Sequence, residues 1–290
     1  MVDTARIERA ISAALDRHLS ASCPPRLASA VRYAVLPGGG RIRPRLCQGV
    51  ALACAAEDTA AVNAASVAIE LLHCASLVHD DLPCFDNADM RRGKPTVHKA
   101  FDERLALLCG DELIVMAFEV LAQGAATHPG RLQALMSVIG RAVGAPNGII
   151  AGQAYECEPT AELRAYQQAK TGALFEASTA AGAAAAGVSV DPWRALGASL
   201  GEAYQVADDL RDVHGSLAEL GKPAGQDERL ERPSAVSALG SDGAFARLRE
   251  LLAAAVASVP DCPGRAGLVM LLDAQAKDIV ARLKALRSAA

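Results

Sequence analysis

Apolar residues in this chain recur at every third and fourth position from one end to the other, a period that fits α-helices and leaves no stretch reading as a strand. The segment from 268 to 286 shows the pattern well. Leu268, Leu272, Ala276, Ile279, Leu283 and Leu286 fall on one stripe, and Asp273, Lys277, Asp278, Arg282 and Lys284 lie elsewhere. Alanine and leucine dominate, which favours helix throughout. Breaks fall at Cys23-Pro24-Pro25, Pro37 to Gly40, Pro83 to Pro95, His128-Pro129-Gly130, Pro146-Asn147-Gly148, Asp191-Pro192, Gly221 to Arg232 and Pro260 to Gly264. Such breaks cut the chain into about ten helical pieces with mostly short connections. The run from about 58 to 82 is the apolar helix least interrupted by charge and is expected at the centre. No repeat, low-complexity linker or change of composition marks a boundary, so residues 1–290 are read as a single all-α domain.

With 51% hydrophobic residues the chain can bury a large core, which excludes disordered and collagen-like classes. Its net charge of -4, without basic blocks, gives nucleic acid no footing as a partner. Eight cysteines are scattered with no CxxC pair, which argues against a disulfide framework or a zinc ribbon and points to a reducing, cytoplasmic compartment. The N-terminal stretch MVDTARIERAISAALDRHL carries charges throughout and lacks the apolar run of a signal peptide. The long apolar runs are Ala-rich and broken by charge, so no integral membrane segment is expected.

Charge turns unusual at the end of the central helix, in His79-Asp80-Asp81-Leu82-Pro83-Cys84-Phe85-Asp86. Pro83 disfavours helix in Leu82, which leaves Asp80 in the last turn and Asp86 in the loop beyond, both able to face one pocket. Carboxylates at a helix C-terminus oppose the helix dipole, so something cationic should compensate them. A second cluster, Tyr204-Gln205-Val206-Ala207-Asp208-Asp209-Leu210-Arg211-Asp212, also follows an apolar helical stretch. Asp208 and Asp212 are one turn apart, about 6 Å, and could share one hard cation. Alone, this cluster reads equally well as a surface turn in which Arg211 and Asp212 pair. Two such clusters together suggest magnesium, which takes oxygen ligands and is often held by one or two carboxylates plus substrate phosphates.

The cationic half of such a site is available in Arg41, Arg43, Arg91-Arg92-Gly93-Lys94, Lys170-Thr171 and Lys222. Guanidinium forks match phosphate oxygens in bidentate geometry. Gly38 to Gly40 lacks the spacing of a P-loop and by itself reads as a turn between helices. His73 lies two turns before Asp80, close to the same face, although a lone histidine on an apolar helix is more often a hydrogen-bonded core residue.

LPGGGRIRP, HCASLVHDDLPCFDNADMRRGKPTVH, AKTGALFEAS, YQVADDLRD and LGKPAGQD, in this order and spacing, resemble the trans-isoprenyl diphosphate synthases over residues 31 to 236. Nearest in flavour are the bacterial geranylgeranyl diphosphate synthases of carotenoid and photosynthetic pigment pathways. The resemblance implies an isoprenoid synthase helical bundle around a deep central cavity. It also implies a homodimer and two carboxylate clusters holding three magnesium ions between them. Asp80, Asp86 and Asp208 match metal ligands, with Asp81 beside the first pair and Asp209 and Asp212 supporting the last. Arg91, Lys170, Thr171, Gln205 and Lys222 match positions at the allylic diphosphate or its reactive end, and Arg43, His73 and Arg92 match the isopentenyl diphosphate site. Three positions depart from the family pattern. Gly40 stands where a lysine is usual, with Arg41 or a neighbouring lysine as the candidate substitute. Glu156 replaces an aspartate after Gly152-Gln153, and Glu231-Arg232-Pro233 replaces a frequent Gly-Lys.

Relatives that stop at fifteen carbons typically carry an aromatic residue five positions before the first aspartate. Here that position is Ala75, beside Ser76, which leaves room for a twenty-carbon tail and so implies geranylgeranyl diphosphate as product. A farnesyl diphosphate synthase, a non-catalytic regulatory subunit of another prenyl synthase and a terpene cyclase are the alternatives. Cyclases need aromatic faces to escort a cation, and this chain has only five Phe, four Tyr and one Trp.

Overall fold

The central element is α4 (Thr59–Asp80), in which residues on every face are buried and only the first two residues and the last turn approach solvent. The computed structural model describes residues 4–36, 39–57, 59–160, 162–214 and 234–289. Before α4 come α1 (Thr4–His18), α2 (Pro25–Val35) and α3 (Ile42–Ala53). After it come α5 (Val97–Ala100), α6 (Glu103–Gly124), α7 (Pro129–Val143), α8 (Ile149–Ala154) and α9 (Leu163–Gln167). The last four are α10 (Ala173–Ala186), α11 (Arg194–His214), α12 (Ala235–Ala257) and α13 (Arg265–Ala289). These thirteen helices among the described residues exceed the ten pieces expected, because α5, α8 and α9 are single short turns whose four to six residues are too few to show a period.

Two apolar clusters fill the bundle. One surrounds α4 and takes in α1, α2, α6 and α7. The other gathers Leu46, Trp193, Leu200, Phe245, Leu248 and Leu268 from α3, α11, α12, α13 and the turn before α11. The Ala-rich α10 stands between them, with Leu174 and Ala181 in the first and Phe175 and Ala183 in the second. The expected stripe on α13 is seated, since Leu268, Leu272 and Leu283 are buried.

Two expectations need correction. The reading of no strands misses an antiparallel hairpin, β1 (Met90–Arg91) paired with β2 (Lys94–Pro95). Arg92 and Gly93 link them, both at positive φ (53° and 76°), as a two-residue type I′ turn requires. Two residues per strand are too few to alternate visibly. Secondly, α4 is long and apolar enough to cross a membrane by length and composition, and 78% of its most apolar window is buried inside the bundle. Glu70 in that window is buried against Arg41, so its charge is neutralised within the fold. All eight cysteines are free thiols.

Candidate active site

The helix α4 ends at Asp80, and three backbone hydrogen bonds fold the following loop back over it: Asp86 N to Asp80 O (3.0 Å), Asn87 N to Leu82 O (3.0 Å) and Ala88 N to Asp81 O (3.2 Å). The loop forms where Pro83 removes an amide donor. It sets Asp86 beside Asp80, and both meet Glu156, on the single turn Tyr155–Cys157 after α8. Ligand oxygens of the three carboxylates lie within 4.8 Å of one another. This is an all-oxygen donor set of the kind magnesium prefers. Glu156 was visible in the sequence only as a departure from a family pattern, and its place in the group depends on packing α8 against the turn that carries Lys170.

Each carboxylate has a cationic neighbour. Lys170 Nζ donates to Asp80 Oδ1 (2.9 Å) and to Glu156 Oε1, and Tyr166 Oη donates to the same Glu156 oxygen (2.7 Å). Burial alone would lower the Lys170 ammonium pKa, but Asp80, with Tyr166 and Glu156, outweighs burial and raises it. Arg91 grips the buried Asp81 in a fork, with Nε 2.8 Å from both oxygens and Nη2 2.6 Å from Oδ1, and reaches Asp80 Oδ2 at 3.5 Å. Burial pushes the Asp81 carboxyl up against the opposing pull of Arg91. Asp81 therefore serves as the seat of Arg91, which it aims at Asp80.

Lys170 and Thr171 sit in a π-helical turn (Gln168–Gly172), a widened coil that lets successive side chains point to different partners. Gly152 permits this, because a Cβ there would lie 2.3 Å from Lys170 N. While Lys170 faces Asp80, Thr171 Oγ1 donates to Gln205 Oε1 (3.0 Å), and Gln205 Nε2 donates to Asp209 Oδ1 (3.0 Å). The first acidic cluster is thus joined to α11 through one turn. Asp209 also accepts from Ala235 N (2.7 Å) at the start of α12. Asp208 is exposed and pairs with Arg211, so the surface ion pair expected of Arg211 forms with Asp208, while Asp212 is buried. Asp208 and Asp212 lie outside the tight carboxylate group. Lys222 and Glu231-Arg232-Pro233 fall outside the described residues.

Two turns before Asp80 on α4, His73 Nε2 faces two guanidinium groups, Arg43 Nη1 and Arg92 Nη2, each at 3.4 Å. Arg43 lies over the Phe175 ring at 4.3 Å, and its burial lowers its pKa. Arg92 occupies the hairpin tip, so consecutive arginines serve separate places, Arg91 the carboxylates and Arg92 the histidine. Arg41, offered by sequence as a phosphate contact, is instead a core residue. It is 2% exposed and bonded to Glu8 (2.7 Å), Glu70 (2.6 Å) and Val35 O (2.9 Å). Lys94 is likewise engaged with Tyr33 O (2.6 Å) and Leu36 O (3.1 Å). Neither replaces the missing lysine at Gly40.

Burial, then Arg43 and Arg92, hold the His73 imidazole well below its ordinary pKa, so the ring is neutral in the folded protein. The unfolded chain protonates this histidine below about pH 6.5, and the folded chain does not. Folding stability is therefore expected to fall as pH drops through that value and to be regained above it. Chemical denaturation between pH 5 and 8, run on the wild type and His73→Gln, checks this: the variant should show the flatter acid limb, and parallel curves would refute the assignment.

Beside the last two turns of α4 an almost wholly apolar cavity of about 400 Å³ is lined by Leu72, Ala75, Ser76 and His79 of α4, Leu82 and Phe85 of the loop that follows, Leu107 and Ile114 of α6, Val143 of α7, and Ile149 and Gln153 of α8. It follows α4 for roughly 10 Å, from His79 back to Leu72.

Helices surrounding an apolar cavity, with a carboxylate group and basic residues at the end of the helix that lines it, define the isoprenoid synthase class. The family model for polyprenyl synthetase matches residues 24–265, and the chain belongs to that family. It is 54% identical to a geranylgeranyl diphosphate synthase of Cereibacter sphaeroides over 275 residues, 95% of this chain and 96% of that protein. A protein of the same name from Rhodobacter capsulatus is 52% identical, over 95% of each chain. Among solved structures, a geranyltransferase of Helicobacter pylori complexed with magnesium and isoprenyl diphosphate superposes with a TM-score of 0.80 at 29% identity, covering 96% of each chain. A geranyltransferase of Legionella pneumophila gives a TM-score of 0.80 at 26% identity, over 97% of this chain and 94% of that one. The fold class and the family read from the motifs are both borne out.

Proposed function

We propose that this protein is a magnesium-dependent prenyltransferase that joins an allylic diphosphate to isopentenyl diphosphate and releases geranylgeranyl diphosphate. The observation that carries this reading is the apolar cavity along α4 that begins at His79, the residue before Asp80, with small side chains at Ala75 and Ser76 on its wall. Asp80, Asp86 and Glu156 supply the oxygen set for the metal, with Asp208 and Asp212 as further ligands on α11. Bound there, magnesium neutralises the charge that develops on a departing diphosphate. Lys170 and Arg91 add fixed positive charge on the same side, where each is already oriented by a carboxylate. Thr171 and Gln205 present oxygen dipoles next to the reacting carbon. Arg43, His73 and Arg92 hold the isopentenyl diphosphate two turns further along α4, and Lys222 assists at the allylic diphosphate. The proton lost at the end passes to the departed diphosphate, so no protein nucleophile is needed.

The protein works as one catalytic domain and as a homodimer in the cytoplasm. The dimer accords with the exposed Leu107, Leu108 and Val115 on α6. A cyclase fits less well, because among the described residues only Phe85 and the imidazole of His79 bring aromatic rings to the cavity wall. Purified protein given magnesium, farnesyl diphosphate and labelled isopentenyl diphosphate should form a twenty-carbon diphosphate. No elongated product would support a regulatory subunit, a cyclic hydrocarbon a cyclase, and elongation from dimethylallyl or geranyl diphosphate that halts at fifteen carbons a farnesyl diphosphate synthase.

Gly40 offers a gain-of-function check. A Cβ there meets only Ile42, at an ordinary 3.5 Å, so a longer side chain is accommodated. Gly40→Lys should lower the KM for isopentenyl diphosphate by roughly tenfold, the worth of one charge-assisted hydrogen bond. Initial rates against isopentenyl diphosphate concentration measure it, and an unchanged KM would mean that the lysine site is not needed in this fold.

A further inference from the structure

Between the carboxylate loop and α6, a pair of buried polar side chains has no part in the chemistry above. Thr96 is 2% and His98 is 7% exposed. Thr96 Oγ1 donates to Ala88 O (2.7 Å), which uses its one proton, so towards His98 Nδ1 (3.1 Å) the hydroxyl can only accept. The ring is thereby fixed as the Nδ1–H tautomer. Its Nε2 is buried and has no hydrogen-bond partner. Such a group is costly to bury, which points to a constraint other than packing. Thr96 N also donates to Asp89 O (3.0 Å), so one residue ties down two successive carbonyls.

Those carbonyls sit at a junction. Upstream, two residues away, is Asp86; downstream is the hairpin that carries Arg91 to Asp81 and Arg92 to His73. The loop's own backbone bonds hold it to α4 on the side of Leu82, and Thr96 closes the hairpin base on the other side. At the tip, Arg92 lies against Gly39, where an added Cβ would approach within 2.8 Å of Cζ, so a small tilt of the hairpin moves Arg92 along that backbone.

We infer that the His98–Thr96 pair is a positioning clamp that sets where Asp86 and Arg92 stand, and so sets affinity for the metal and for isopentenyl diphosphate without touching either. The clamp rests on the reading of Arg92 as an isopentenyl diphosphate contact and Asp86 as a metal ligand. Asp80 stands on α4 itself and does not depend on it. Losing the clamp therefore weakens binding and spares turnover at saturation.

Four variants separate this from a purely structural role. Thr96→Val and His98→Leu remove the hydrogen bonds while keeping bulk; Thr96→Ser keeps the hydroxyl, and His98→Asn keeps an N–H donor near the Nδ1 position. The first two should raise both the KM for isopentenyl diphosphate and the magnesium concentration at half-maximal rate by roughly tenfold, the effect of one lost hydrogen bond. Their kcat at saturation should stay within about twofold of wild type, as for a loss confined to binding. Calorimetric titration with isopentenyl diphosphate should show the same loss of affinity, and the Ser and Asn variants should restore it. If Thr96→Val does not accumulate, His98→Leu against His98→Asn decides. A folded Thr96→Val or His98→Leu with wild-type KM and magnesium dependence overturns the clamp. So do Ser and Asn variants as impaired as the others. Arg92→Ala serves as the reference: an unchanged KM for isopentenyl diphosphate removes the underlying reading and the clamp with it, whereas a raised KM in Arg92→Ala beside a normal Thr96→Val removes the clamp alone.

Discussion

Asp80→Asn is expected to lower kcat by about a thousandfold while leaving the fold intact, the range seen when one preorganised electrostatic contact to a developing charge is lost. Asp80 is the meeting point of the site. It lies within the carboxylate group of Asp86 and Glu156, accepts from Lys170 at 2.9 Å and stands 3.5 Å from Arg91. An amide in its place takes one carboxylate from the proposed metal site and loosens Lys170, which then leans on Glu156 alone. Without metal, the same change relieves repulsion among neighbouring carboxylates, so the melting temperature should hold or rise, as it often does when a strained active site is relaxed. With metal the sign reverses. Wild-type protein gains stability from any ligand bound only when folded, by about 2.7 kcal/mol at a concentration a hundred times Kd. The variant should lose most of that gain. Melting curves with and without magnesium and a diphosphate, beside single-turnover rates, measure both effects. Turnover within tenfold of wild type would show that the cluster is not the metal centre.

What could be read from sequence divides along the range of the interactions. Local chemistry was legible: Pro83 announces the end of α4, and the spacing from Asp80 to Asp86 then folds the loop back. The convergence of Arg43, His73 and Arg92 came from the family resemblance and holds at 3.4 Å. Partners distant in sequence were not legible. Arg41 looked like a phosphate contact because it adjoins a glycine run, yet Glu8 and Glu70, 33 and 29 residues away, take it into the core. Glu156 looked like a deviation until α8 brought it against Asp80. The hairpin was hidden for another reason: its turn uses Arg92-Gly93 rather than the Asn-Gly or Asp-Gly that usually signals a two-residue loop.

That hairpin explains how two consecutive arginines serve separate places. In a type I′ turn the residue before the tip and the first residue of the tip project in different directions, so Arg91 and Arg92 reach different partners. Asp81, just past the end of α4, orients the first, and His73, two turns back along that helix, the second. The neutral state of His73 follows from its burial first and then from the same arrangement, since a charged imidazole between two guanidinium groups would be disfavoured further. Two cations and a hydrogen-bonding ring are thus held at a fixed spacing.

Ala75→Phe should change the product rather than the rate, moving most of it from twenty to fifteen carbons. Ala75 lies five residues before Asp80, so its side chain meets the cavity roughly 7 to 8 Å below the carboxylates. It is 1% exposed, and the space before it is the cavity itself, so a phenyl ring has nowhere to go except across the path of the growing tail. Overpacking elsewhere would cost about 1 to 3 kcal/mol, but an open cavity takes the ring with less strain, and the protein should remain folded. Leu72→Ala makes the converse change at the deeper end, where shortening a wall residue should admit products longer than twenty carbons. Chromatography of dephosphorylated products from each primer reads both results. An unchanged distribution in Ala75→Phe would place the limiting wall on α6 or α7, at Ile114 or Val143, where the next substitutions belong.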